Sequence, residues 1–236
     1  MELYRTIKQQ ASAEQIIERS RFIAHAKPVS DRAEAEEFIA EIKSRYKDAT
    51  HNVPAMVIGD KSQIQWASDD GEPQGTSGAP IVQMLVGEGL TNLVIVVTRY
   101  FGGIKLGTGG LVRAYTSSAK LVLEAAGVCS VQNVLKITCE TDYTYLARFQ
   151  KLASDTLVSA GEGDPAGSGQ TGEPAFAMGE IEYGAKVKME LITLAEYGDA
   201  VEGLIANITS GTAQILSKQE GPEKALSKKL NSTCKG

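Results

Sequence analysis

The chain has 236 residues, 42% of them hydrophobic and 22% charged, with a formal net charge of −5. That length carries one large or two modest cores, and two are expected; the longest apolar run, Leu93 to Val97, is far too short to span a bilayer, so no membrane partner is expected. The acidic balance excludes binding of nucleic acid by bulk charge, and any anion site has to be local.

In chain order, Arg21 to Val29 reads as a strand, and Asp31 opens a helix through a D-x-x-E capping box completed by Glu34. Ala35, Phe38, Ile39, Ile42 and Tyr46 then recur at helical spacing and define a buried face. Val53 to Gly59 and Gln63 to Ala67 read as a hairpin around Gly59-Asp60-Lys61-Ser62, followed by a turn-rich stretch from Ser68 to Pro80. Ile81 to Glu88 is a short helix, and Asn92 to Thr98 carries the β-branched run of a strand buried on both faces. The loop Tyr100 to Thr108 feeds a helix from about Gly109 to Ala126 that is apolar nearly all round.

The pattern restarts near Val131, and the domain boundary is expected at Ser130 to Gln132. Strand Val134 to Thr138, helix Tyr143 to Ser159, two strands within Glu180 to Thr193, helix Ala195 to Ile208 and strand Thr212 to Leu216 give the order βαββαβ, a ferredoxin-like arrangement. The fold class is therefore α+β, with domains at 1–131 and 132–218, a mobile loop at Gly161 to Pro174 and a flexible tail over 219–236. The N-terminal Met-Glu-Leu-Tyr-Arg shows no basic leader followed by an apolar stretch, so the expected location is cytoplasmic. Cys129, Cys139 and Cys234 are an odd number at wide spacing, and they read as free thiols with no disulfide partner.

Chemistry concentrates in two segments. From Thr98 to Arg113 the chain reads Thr-Arg-Tyr-Phe-Gly-Gly-Ile-Lys-Leu-Gly-Thr-Gly-Gly-Leu-Val-Arg, and no Asp or Glu occurs between Gly89 and Leu123. A glycine loop feeding a helix exposes backbone N–H groups where the helix end adds about half a positive charge. Arg99, Lys105, Gly107, Thr108, Gly109, Gly110 and Arg113 are the candidate phosphate or RNA ligands, with Tyr100, Phe101, Gly102 and Gly103 beside them. The alternative use of the glycines is a tight turn and close packing of the helix on the central strand. Known nucleotide fingerprints are not met. Gly102 and Gly107 have P-loop spacing, but Thr108-Gly109 replaces Lys-Ser/Thr, and Val112 stands where GxGxxG needs its last glycine.

The second segment is Ser-Asp-Asp-Gly-Glu-Pro-Gln-Gly-Thr-Ser-Gly-Ala-Pro from Ser68 to Pro80. Asp69, Asp70 and Glu72 suit Mg²⁺ held through a substrate phosphate, or ion pairs with Arg99 or Arg113 across a shared cleft, or a cap on the next helix. Gly75 and Thr76 follow them, and His51 with Asn52 is a further polar pair at this cleft. No Ser-His-Asp order or GxSxG elbow is present.

These two motifs, with Ser20-Arg21-Phe22-Ile23 and Ala49-Thr50-His51-Asn52, resemble the IMPACT family, whose bacterial members are the YigZ-type proteins. The resemblance covers about residues 1 to 130 strongly and implies a first domain like domain 2 of ribosomal protein S5. It implies a second domain like domain V of elongation factor G, and a role near translation, since eukaryotic relatives restrain a kinase that controls initiation. Val53 stands where many bacterial members carry Cys, so no thiol mechanism is expected here. The residues and the resemblance together point to a translation-linked binding protein that contacts RNA, the ribosome or a translation factor, with no obligate cofactor. Two alternatives stand beside it: an enzyme acting on a phosphorylated small molecule, possible with Mg²⁺, and a protein-interaction domain whose motifs stabilise a loop.

Overall fold

The computed structural model describes residues 2–159 and 176–224. It is a mixed α and β protein with two sheets and five helices, and it divides into two compact units, Leu3–Ser130 and, with Glu2, the residues from Val131 onward.

The first unit is built on an antiparallel sheet in the order β2 (Ala11–Ile17), β3 (Ser20–Pro28), β6 (Leu93–Tyr100), β4 (His51–Ile58), β5 (Ile64–Ala67). Strand β6 is central. Its Leu93, Ile95 and Val97 face α2 (Gly78–Gly87) and α3 (Gly107–Ala126), while Val94 and Val96 face α1 (Arg32–Arg45). Period-two alternation of branched residues thus fills both layers, as its sequence predicts. Helix α1 begins where its cap requires: Asp31 Oδ1 accepts from the Glu34 N–H at 2.9 Å, and Glu34 reaches back to the Ser30 N–H at 3.0 Å. Ala35, Phe38, Ile39 and Ile42 are its buried face.

Two strands escape sequence reading, β1 (Glu2–Ile7) and β2. In β2 the core-facing positions are Ala11, Ala13, Gln15 and Ile17, of which the first three are small or polar residues with little strand propensity. Gln15 spends its amide on Ser117 and Ser118 of α3, at 2.8 and 2.7 Å. Helix α3 opens two residues earlier than expected, at Gly107.

The second unit follows the order β7 (Val128–Thr141), α4 (Tyr143–Ser159), β8 (Ala177–Tyr183), β9 (Val187–Leu194), a 3-10 turn (Ala195–Tyr197), α5 (Gly198–Thr209) and β10 (Gln214–Lys224). Within it the strands lie in the order β10-β7-β9-β8, every pair antiparallel. Strand β7 runs straight through the boundary expected at Ser130 to Gln132. The flexible tail expected over 219–236 needs correction. Gln219 to Lys224 continue β10 opposite Lys136 to Val131, because backbone pairing at an edge needs no apolar side chains. The Gly161 to Pro174 loop, the rest of the tail and Cys234 lie outside the described residues. Cys129 and Cys139 are free thiols in β7, and burial pushes the Cys139 thiol up to about 11. No helix among the described residues is long and apolar enough to cross a membrane.

One buried titratable group couples this fold to pH. His25 is 3% exposed, its Nδ1 lies 2.7 Å from Ser12 Oγ, its ring tilts over Tyr46 at 5.0 Å, and its Nε2 is buried without a partner. Burial, then the charge of Arg45, lowers its pKa to about 4, with Glu41 opposing. An unfolded histidine takes up its proton near pH 6.5, so between there and 4 the unfolded chain binds more protons and stability falls as pH falls. Urea unfolding at stepped pH should show a loss on the order of 2 kcal/mol across that window, and His25→Gln should flatten it.

Candidate functional site

The two sequence motifs meet at one carboxylate. Arg99 ends the core-facing row Leu93, Ile95, Val97 of β6, so strand parity carries its guanidinium inward, and it is 4% exposed. There Arg99 Nη1 donates to Glu72 Oε1 at 2.6 Å and Nη2 to Ser20 Oγ at 3.3 Å, while Nε is buried without a partner. Its Cζ lies 5.4 Å from the ring centroids of both Phe22 and Phe101. Glu72 Oε1 also accepts from the Tyr115 hydroxyl of α3 at 2.7 Å. Burial and then that bond push the Tyr115 hydroxyl far above the ordinary tyrosine range, so it stays a donor. His51 Nε2 stands 3.8 Å from the same oxygen. Its Nδ1 is 2.8 Å from the Asp70 carbonyl, which can only accept, so Nδ1 carries the proton.

The three acids, adjacent in sequence, have separate tasks. Asp70 and Gly71 have positive φ, +47° and +90°, and the chain turns sharply between the carboxylates. Asp69 accepts from Gly75 N at 2.7 Å, Ser77 Oγ at 2.6 Å and Gly78 N at 3.0 Å, and so caps α2. Burial alone would raise its pKa, but the bonds from Ser77, Gly75 and Gly78 outweigh it and hold the carboxyl below the ordinary aspartate value. Asp70 takes Lys43 Nζ at 2.6 Å and Asn52 N at 2.7 Å. Thr76 is buried and donates to the Pro73 carbonyl at 2.6 Å. Asn52 is structural as well, bonded to Tyr46 O and Thr98 Oγ1. Among the described residues no group of three or more His, Cys, Asp or Glu is placed to hold a metal ion. The Mg²⁺ alternative thus meets three carboxylates each already bonded to protein, and Val53 is fully buried in the core.

Outside this knot lies the glycine segment. Gly102 is fixed by contact: a Cβ there would sit 2.1 Å from the Arg19 carbonyl atoms and 2.5 Å from Ser20 N. Tyr100 is occupied, its hydroxyl on Asp48 at 3.1 Å and its ring under Arg21 at 5.9 Å. Phe101 is 47% exposed, and Gly103, Lys105, Gly107, Thr108, Gly109 and Arg113 are exposed too, with Gly110 half-buried. No side chain caps α3, so its first N–H groups face outward. The Lys105 and Arg113 side chains make no hydrogen bond or ion pair among the described residues, and Arg113 Nη1 lies 3.8 Å from the Cβ position of Gly109, alongside the helix start. Arg99, expected at a phosphate, is instead committed to Glu72. Lys105 and Arg113 are the outward cations of the set.

The knot and the rim separate in an unfolding experiment. Glu72→Gln strands the buried Arg99 charge and should cost about 3 kcal/mol by denaturant unfolding, whereas Lys43→Ala, at a part-exposed pair, should cost under about 1 kcal/mol.

The Impact N-terminal domain matches residues 18–123, which holds both motifs. The chain is 37% identical over 228 residues to the IMPACT family member YvyE of Bacillus subtilis (strain 168), covering 97% of this chain and 95% of that one. It is 36% identical over 138 residues to the IMPACT family member YigZ of Escherichia coli (strain K12), covering 58% of this chain and 68% of that protein. A crystal structure described as that of a hypothetical protein superimposes with a TM-score of 0.54 at 27% identity, covering 92% of this chain and 98% of its own. Identity at this level over nearly the whole length is decisive, and the chain belongs to the IMPACT family.

Proposed function

We propose that this protein is a cytoplasmic, translation-linked binding protein that contacts RNA, free or on the ribosome, through phosphates at the start of α3. The carrying observation is the uncapped glycine turn Gly107 to Gly110 flanked by Lys105 and Arg113, two cations with no partner among the described residues. Backbone N–H groups, a helix dipole and two free charges favour an anion at that spot, and Thr108 adds a hydroxyl. The family's link to translation supplies the class of anion. The same reading takes the first unit as an S5 domain 2-like fold and the second as ferredoxin-like, supported by the βαββαβ order and the strand order β10-β7-β9-β8. We also take residues 1–131 to be an independent domain, since the apolar residues packed on both faces of β6 all come from Leu3–Ser130. That fragment should unfold cooperatively on its own; aggregation would show that the second unit supplies essential core.

With Arg99 withdrawn, two side-chain contacts remain, and counterion release should give a salt slope of about −1.4 on single-stranded RNA. Lys105→Ala should lower affinity for all sequences alike and make the slope shallower by about 0.7. A salt titration of RNA binding on wild type and Lys105→Ala, each with a melting curve, measures both. No binding at low salt, with saturable binding of inorganic phosphate instead, would favour the phosphorylated small molecule.

A further inference from the structure

The phosphate reading leaves an exposed aromatic unexplained. Phe101 is 47% exposed, yet it is not loose: its N–H donates to Thr50 Oγ1 at 3.0 Å, and one ring face is propped on the buried Arg99 guanidinium, 5.4 Å away. Arg99 is itself fixed from behind by Phe22 and Glu72. A phenyl ring held out on such a support is preorganised for a flat partner.

The cations beside it differ in availability. Arg21 is spent in a two-point pair with Glu14, at 2.7 and 2.8 Å. Arg19 is exposed and makes no hydrogen bond or ion pair among the described residues, and its carbonyl carbon lies 2.1 Å from the Cβ position of Gly102, so it sits directly against the loop carrying Phe101. Lys105, four residues after Phe101 in the same exposed loop, likewise makes no side-chain hydrogen bond or ion pair among the described residues. An exposed ring on a loop that also carries or touches two uncommitted cations suits a single strand with one base unstacked onto the ring and phosphates close by, whereas a duplex keeps its base faces hidden.

Resting on the phosphate-binding reading above, we propose that Phe101 is a stacking platform for an unpaired base, with Arg19 and Lys105 meeting the flanking phosphates, so that the ligand is single-stranded RNA rather than duplex. Arg19 is thereby added to the surface, and Tyr100, whose ring is covered by Arg21, is left out of it.

The test uses the full chain with three probes: a short single-stranded oligoadenylate, the same strand annealed to its complement, and an abasic strand of equal length. Wild type should prefer the single strand to the duplex, and Phe101→Ala should weaken oligoadenylate binding about ten-fold while leaving the abasic strand unchanged. Phe101→Trp should keep the affinity. Phe101→Leu covers Arg99 with apolar bulk but offers no π-face, so it should bind as weakly as Phe101→Ala; recovery of affinity in Phe101→Leu would mean that the ring only packs, and would overturn the proposal. Oligoadenylate affinity unchanged in Phe101→Ala, while Lys105→Ala still weakens it, would overturn the stacking and leave the phosphate contacts standing. Absence of any wild-type binding would remove both.

Discussion

A single carboxylate oxygen, Glu72 Oε1, ties together the segments that make the first unit's site. Arg99 from β6, Tyr115 from α3 and, at longer range, His51 from β4 all converge on it. Withdrawing Arg99 and Glu72 from water carries a desolvation penalty of several kcal/mol per ion, which their attraction offsets only with good geometry and further hydrogen bonds. Tyr115 and Ser20 supply such bonds. The pair therefore contributes less to net stability than to uniqueness: any rearrangement of the 68–80 segment, β6 or α3 would leave a buried charge without its partner.

That constraint sorts the charges of the site into two groups. Arg99, Lys43, Asp69, Asp70 and Glu72 serve the fold, holding a helix cap, a turn and a strand end in register. The side chains of Lys105, Arg113 and Arg19 have no hydrogen-bond or ion-pair partner among the described residues. In a chain of net charge −5, cations without internal partners around an acid-free stretch form a locally positive part of the surface, the part on which the proposed binding rests. The internal pair also orients the external surface, because Arg99 supports Phe101 and Ser20 accepts from the Gly102 N–H at 3.2 Å.

Much of this was legible in the sequence where a local rule and burial agree. The β-branched run at Leu93 to Val97, the capped helix from Arg32 and the βαββαβ order of the second half all obey simple periodicities. The burial signal is weak in β2, whose inward residues are mostly alanine and glutamine, and in the polar end of β10, and neither is legible as a strand. The acids were read together because they are neighbours in sequence, but positive φ at Asp70 and Gly71 sends them to three different partners. Arg99 is both a candidate phosphate ligand and a candidate ion-pair partner of the acids by sequence, and its parity with Leu93, Ile95 and Val97 on the inner face selects the ion pair.

The glycines separate the packing explanation from the binding one, position by position. At Gly102 a side chain would collide with the Arg19 backbone, and packing alone accounts for the residue. At Gly107 nothing lies within 4 Å of a Cβ, but a φ of +70° is a conformation that side chains disfavour, so backbone geometry accounts for it. Gly109 fits neither account: its φ is not positive, and a Cβ would meet only Arg113 Nη1 at an ordinary 3.8 Å. Neither packing nor backbone geometry therefore requires glycine at Gly109. What glycine provides there is an unshielded backbone in the first turn of α3, beside the Arg113 guanidinium. That bareness is what the proposed anion contact uses, since a helix N-terminus with open N–H groups favours negative charge.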